Sequence, residues 1–95
     1  PARPLYTMKE ARQALGLLRV AHYGEDVRLG NGVTLRFDPA GHILGSSVAR
    51  LTWRGTSIQF SGDLGRLNSP TMPPPATIED ADYLVVESTY GDRLH

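Results

Sequence analysis

The chain has 95 residues, no cysteine, and ten acidic and ten basic side chains, so its formal net charge is zero. This length allows one small domain with a thin core. The lack of cysteine excludes disulfides, thiolate-bound metals and thiol catalysis, and the balanced charge gives no compositional sign of a nucleic-acid-binding face. No apolar run approaches the roughly 20 residues that span a bilayer, and no signal-peptide pattern opens the chain. We therefore expect a cytoplasmic protein without a membrane partner.

A helix is predicted near the N-terminus. Thr7 and Glu10 have the spacing of a capping box, in which each side chain bonds the backbone of the other residue. Apolar residues then recur at helical spacing: Met8, Ala11, Leu15 and Leu18. The helix is expected to run from Met8 to about residue 20 or 21.

From Glu25 onward the apolar residues alternate with a period of two, which predicts strands. The first passes through Val27 and Leu29, and a turn at residues 30–32 leads to strands at 33–37, 47–53 and 56–60. Trp53 and Phe60 are expected in the core. A stiff, proline-rich surface loop is predicted at 68–78, followed by an apolar run at 83–86 that is typical of a buried strand.

Three predicted loops combine glycines with a chemically capable side chain at a strand end. His42 lies between Gly41 and Ile43; it is either a zinc ligand or a loop histidine bonded to a backbone carbonyl. Asp63 is either a carboxylate that bridges two metal ions or the first residue of an Asx turn. His22 has neither glycine neighbours nor a strand end beside it, and we expect it at the surface.

Glu87 directly follows the apolar run at 83–86. A carboxylate at this position can orient a histidine or act as a general acid or base. The alternatives are that it accepts hydrogen bonds from the following turn or pairs with Arg93. The residue types alone leave these possibilities open.

Together these loops form three ordered motifs at residues 38–46 (D-P-A-G-H-I-L-G-S), 60–66 (F-S-G-D-L-G-R) and 87–93 (E-S-T-Y-G-D-R). Their order and spacing resemble the β-CASP family of metallo-β-lactamase-fold ribonucleases, which includes cleavage and polyadenylation endonucleases and RNA-processing exonucleases. The resemblance covers nearly the whole chain. The third motif is the most specific, because the E-S-T-Y-G string is typical of the nuclease branch.

The resemblance implies a role for each matched residue. His42 matches the histidine that ligates one zinc, and Asp63 matches the aspartate that bridges two Zn²⁺ and takes part in catalysis. Glu87 matches an acidic catalytic residue that positions a later histidine near the leaving group. Arg66 and His95 lie in the matched part of the chain without an assigned role.

The resemblance also implies the fold class: α+β, part of a metallo-β-lactamase αββα sandwich, with mostly antiparallel strands and one N-terminal helix. Residues 1–95 would be a partial domain, because the family's upstream H-x-H-x-D-H motif and downstream β-CASP cap are not in this sequence. A zinc site needs at least three protein ligands. We therefore expect the chain alone to be inactive and to bind metal weakly.

The implied function is that of a fragment of a zinc-dependent RNA-processing nuclease, which hydrolyses phosphodiester bonds with a water activated by two metals. The alternatives are a non-catalytic scaffold subunit of an RNA-processing complex and a metallo-hydrolase acting on a small ester or thioester. RNA is the expected partner, and exonuclease and endonuclease modes stay open. Uncovered apolar strands also predict a homo-oligomer.

Overall fold

The first element of the fold is a helix, α1 (Met8–Leu15), which starts at the predicted capping box. A computed structural model describes residues 2–77 and 80–93. Glu10 Nα donates to Thr7 Oγ1 at 3.3 Å, and Thr7 Nα donates to Glu10 Oε2 at 2.6 Å. Hydrogen bonds from the Thr7 backbone, and then from its side chain, hold the pKa of Glu10 below its usual value.

The predicted C-terminal half of this helix is wrong. The helix ends at Leu15, and Gly16 is its C-cap. A glycine costs about 1 kcal/mol relative to alanine inside a helix, and the apolar residues that follow it gain no compensating burial. Leu17 and Leu18 are exposed, and α1 packs against none of the five strands.

The rest of the fold is one five-stranded sheet in the order β1-β2-β3-β4-β5. Its strands are β1 (Asp26–Gly30), β2 (Val33–Pro39), β3 (Ser47–Trp53), β4 (Thr56–Phe60) and β5 (Tyr83–Val85). The first four are joined as antiparallel neighbours, whereas β5 pairs in parallel with β4. One helix and a mixed sheet confirm the α+β class and the predicted strands.

Turn chemistry accounts for the two tight hairpins. Asn31 and Gly32 between β1 and β2 have φ of 53° and 77°, and Arg54 and Gly55 between β3 and β4 have φ of 48° and 75°. Positive φ at both central residues matches the strand twist of a hairpin. The long connection from β4 to β5 instead returns the chain to run parallel.

The register separates the sheet into two faces. Cross-strand pairing aligns Asp26, Arg36, Arg50 and Gln59 on the polar face. The opposite face, called the apolar face below, carries Val27, Leu35, Phe37, Ala49, Leu51, Ile58, Phe60, Tyr83 and Val85.

The β4–β5 connection is tied to the polar side of the sheet. Arg50 Nη2 donates to the backbone oxygen of Asp80 at 2.7 Å, and Ser57 Nα donates to Asp82 Oδ2 at 2.7 Å. Ala76 Nα donates to Pro39 O at 2.8 Å. These contacts place the start of β5 beside β4. Residues 78 and 79, at the end of the proline-rich connection, and His95 lie outside the described residues.

The predicted core is wrong in part. Trp53 and Phe60 are 47% and 37% exposed, and the predicted buried strand, β5, is exposed along its length. Among the described residues, the only fully buried hydrophobic side chains are Ala40 and Val48. The reason is that no second layer covers the apolar face within the described part of the chain. Within the same ranges, no helix has the length and hydrophobicity to traverse a bilayer.

Candidate metal and catalytic site

The three candidate residues lie on one open cleft of about 540 Å³. Because β2 and β4 are both antiparallel to β3, and β5 is parallel to β4, the strands β2, β4 and β5 run in the same direction. The C-terminal ends of β2, β4 and β5 therefore lie at the same edge of the sheet. The loops that follow them carry His42, Asp63 and Glu87, and all three residues line the cleft. The sheet topology therefore brings together residues that are far apart in the sequence.

The backbone of His42 is fixed while its side chain is exposed. His42 Nα and Ile43 Nα donate to Ser46 Oγ at 3.1 and 3.2 Å, and Ser46 Oγ donates to Ile43 O at 2.8 Å. Gly41 has a φ of 71°, and a Cβ there would lie 2.8 Å from Pro73 O. The turn thus presents the imidazole to the cleft from a backbone that the surrounding loops hold.

Asp63 follows Gly62, whose φ is 57°, and its side chain is exposed on the cleft wall. The structure shows no hydrogen bond to the Asp63 carboxylate from any described residue, so the alternative Asx turn does not form there. A carboxylate without a local partner keeps its oxygens available for a cation. The turn around it is held by its neighbours instead.

Glu87 makes one of the contacts that hold the turn around Asp63. Its Oε1 accepts from Leu64 Nα at 2.6 Å, and its own Nα donates to Ser61 Oγ at 3.0 Å. Arg93 bonds Asp92, with Nε and Oδ1 3.2 Å apart, and no contact between described residues joins Arg93 to Glu87. The following turn contributes only a long contact, from Thr89 Oγ1 to Glu87 Oε2 at 3.5 Å.

The His42 and Asp63 loops also touch each other through their backbones. Gly65 Nα donates to Ala40 O at 2.8 Å, and a Cβ on Gly65 would collide with the carbonyl of Gly41 and with His42 Nα. Sequence reasoning missed this contact and the role of Ser61. The signal for the contact was the glycines on either side of His42 and of Asp63, since glycine permits close backbone approach.

The donor chemistry suits zinc, but the set is partial. Imidazole nitrogen and carboxylate oxygen are both zinc donors, and a zinc site takes at least three of them from protein. Within residues 2–77 and 80–93, no group of three or more His, Asp or Glu side chains is close enough together to hold a metal ion. His42 and Asp63 both line the cleft and offer donors that zinc accepts, but they are too few to form a zinc site. His22 is exposed as predicted and does not line this cleft.

Comparison with known proteins identifies the family. No family model matches the chain. It is 39% identical over 92 residues to Ribonuclease TTHA0252 of Thermus thermophilus, which covers 97% of the chain and 21% of that protein. It is 33% identical over 90 residues to an RNase J-like protein of Methanocaldococcus jannaschii, with 94% of the chain and 21% of the relative covered.

A third relative is RNase aCSPSF2 of Saccharolobus solfataricus, 36% identical over 93 residues, which are 95% of the chain and 18% of the relative. The chain thus spans about a fifth of the length of these relatives. Over nearly its whole length, the chain belongs to the β-CASP family of metallo-β-lactamase-fold RNA nucleases.

Proposed function

We propose that the chain is part of a zinc-dependent RNA-processing nuclease that hydrolyses phosphodiester bonds. The observation that carries the proposal is the convergence of His42, Asp63 and Glu87, from three separate loops, on one open cleft. Catalytic groups on loops at one edge of a rigid sheet are a common way of building an active site. The ribonuclease names of the relatives support RNA as the substrate.

His42 and Asp63 are the residues of this chain that would hold the metal. Zinc bound there would lower the pKa of a water and stabilise negative charge on the phosphate. His42 would supply a nitrogen donor and Asp63 a carboxylate donor to this metal site. The exposure of both side chains leaves them accessible to metal and substrate.

Glu87 would act beside the metal rather than on it. Its Oε1 is engaged by the Leu64 amide, which leaves Oε2 as the oxygen that would orient a proton donor near the leaving group. We propose that this donor is a histidine from another part of a longer protein.

The remaining ligands would also come from outside these 95 residues. The relatives are about five times as long as the matched segment, which leaves ample chain for an H-x-H-x-D-H motif and a β-CASP cap. In this proposal the sheet is part of an αββα sandwich, and the second sheet covers the apolar face. The exposure of that face in the present chain supports this arrangement.

Zinc binding and RNA cleavage by the chain test this proposal. We expect weak Zn²⁺ binding in calorimetry, reduced about ten-fold or more by His42→Ala or Asp63→Asn. The matched control His22→Ala removes an exposed imidazole away from the cleft and should bind as the parent does. End-labelled RNA should stay intact, because the donor set is partial.

Two outcomes would contradict the proposal in different ways. Zinc binding that is equal in the parent and the His42→Ala chain would remove His42 from the site and favour a scaffold role. RNA cleavage that is lost in His42→Ala would contradict the part of the proposal that takes the remaining ligands from outside these 95 residues, because the segment would then already contain a working site.

A further inference from the structure

Ser61 is a buried link between the loops after β4 and β5. Its side chain is only 1% exposed, although it lies beside an open cleft. Ser61 Nα donates to Val85 O at 2.9 Å, and Ser61 Oγ accepts from Glu87 Nα at 3.0 Å. The hydroxyl proton is then donated to Gly62 O at 2.8 Å. Ser61 therefore connects the backbone that follows β4 to the backbone at the end of β5.

Glu87 closes the same connection from the other side. Its carboxylate accepts the Leu64 amide at 2.6 Å, and a hydrogen bond from a backbone amide to a carboxylate is of the charge-assisted kind. Leu64 directly follows Asp63. Ser61 thus holds Gly62, and Glu87 holds Leu64. Asp63 lies between these two residues in the sequence.

The connection continues to the loop of the other candidate ligand. Gly65 Nα donates to Ala40 O at 2.8 Å, and the absence of a side chain on Gly65 lets the two backbones touch. Asp63 therefore lies on a turn anchored to the His42 loop on one side and to the Glu87 loop on the other. Its exposed carboxylate has no described hydrogen bond of its own, so only the backbone sets its place.

We propose that Ser61 and Glu87 are positioning residues that together hold the Asp63 carboxylate in register with His42. This inference rests on the proposed function, because it gives Asp63 the metal-binding role. It assigns Glu87 a task besides orienting a proton donor, and it assigns Ser61 a task for the first time. A metal site needs its ligands placed within about 0.5 Å, and such placement depends on the contacts behind them.

Amide hydrogen exchange and backbone relaxation, measured by NMR on the 95-residue chain, test directly whether Ser61 and Glu87 hold the turn that carries Asp63. Glu87→Ala and Ser61→Ala should each accelerate exchange of the Leu64 amide about ten-fold and lower the order parameter of Asp63. Glu87→Gln keeps an oxygen acceptor, so it should stay within about three-fold of the parent chain. Ser88→Ala, the same change at an exposed neighbouring serine, should have no effect.

The pattern of exchange separates positioning from a general loss of stability. Leu51, in the middle of the sheet, should keep its parental exchange rate in every variant. Unchanged Leu64 exchange in Glu87→Ala would overturn the proposal. So would acceleration at Leu51 equal to that at Leu64, because the pair would then support the whole fold rather than the turn.

A Zn²⁺ titration, followed on the His42 ring resonances, keeps this proposal distinct from the proposed function. If the parent binds, Ser61→Ala should bind several-fold more weakly, with Glu87→Gln restoring most of what Glu87→Ala loses. Equal binding in Ser61→Ala, Glu87→Ala and the parent would overturn the positioning role. A parent that binds no Zn²⁺ would overturn the metal site of the proposed function. The exchange and relaxation data alone would then decide whether Ser61 and Glu87 hold the turn of Asp63.

Discussion

Two glycines lie where the loops of the candidate ligands His42 and Asp63 touch. Gly41 and Gly65 meet backbone to backbone, and the Gly65 amide bonds Ala40 O beside the meeting point. A side chain on Gly65 would push the His42 and Asp63 loops apart, whereas one on Gly41 would collide with Pro73 and Pro75. The geometry of the cleft therefore depends on two residues that carry no chemistry themselves.

Gly65→Ala should open this contact. The added methyl would collide with the Gly41 carbonyl and His42 Nα, and backbone atoms cannot move aside as a side-chain end can. Overpacking of this kind costs about 1–3 kcal/mol, so the free energy of unfolding in urea should fall by that amount. The His42 and Leu64 amide resonances should shift most.

Gly16→Ala is the matched control for this substitution. Gly16 has an ordinary helical φ of −66°. Alanine there should stabilise α1 by up to about 1 kcal/mol and leave the cleft resonances in place. A Gly65→Ala chain as stable as the parent would contradict the close contact between the loops.

At the scale of single residues, the sequence placed His42, Asp63 and Glu87 at strand ends, and the structure brings all three to one cleft. Hydrophobic periodicity and turn residues are enough to predict that these residues lie at strand ends. The part played by Ser61 could not be predicted, because it depends on β5 returning beside β4 after a long connection. Such a pairing leaves no local signal in either segment.

At the scale of elements, local signals predicted where structure starts better than what stabilises it. The capping box gave the first residue of α1, but apolar spacing alone overestimated its length, because Leu17 and Leu18 have nothing to pack against. The apolar run of β5 predicted a strand correctly and its burial wrongly. The burial of β5 depends on a second layer that covers the apolar face, and the residues of β5 do not provide that layer.

The short strand β5 depends on one acidic side chain at its start. Asp82 Oδ2 accepts from Ser57 Nα at 2.7 Å and lies 3.3 Å from Ser57 Oγ. Asp82→Ala would leave the buried Ser57 amide without this acceptor, at a cost of about 1–3 kcal/mol. Amide exchange at Leu84 should rise accordingly, and the position of Glu87 should loosen with it.

The control for Asp82 is Asp80→Asn. Asp80 contributes its backbone oxygen to Arg50, and the substitution keeps that oxygen. We expect a change in unfolding free energy within about 0.5 kcal/mol. If Asp82→Ala behaved like Asp80→Asn, the side chain of Asp82 would not be what holds β5 to β4.

At the scale of the whole molecule, the chain exposes more surface than its mass allows for a compact domain. Its accessible surface is 8221 Å², whereas a folded monomer of 10.4 kDa exposes about 5,400 Å². Its radius of gyration is 16.6 Å, against about 12 Å for a compact domain of this length. The exposed residues of the apolar face and a helix that packs against no strand contribute to this excess.

The final prediction is that the isolated chain self-associates through β5 and the apolar face. Edge strands with unpaired backbone groups template pairing, and Lys on such a strand opposes it. Val85 lies on the apolar face, with its side chain half exposed. Sedimentation velocity of the parent should therefore show species larger than a monomer whose share rises with concentration, and Val85→Lys should shift the distribution towards monomer.

Val20→Lys makes the same chemical change at an exposed valine outside the helix and the sheet. It adds the same charge without touching β5, so it should leave the self-association of the parent unchanged. A parent chain that sediments as a single monomer at the highest concentration would contradict the prediction. Equal dispersal by Val20→Lys and Val85→Lys would attribute the dispersal to the added charge and would contradict a specific interface through β5.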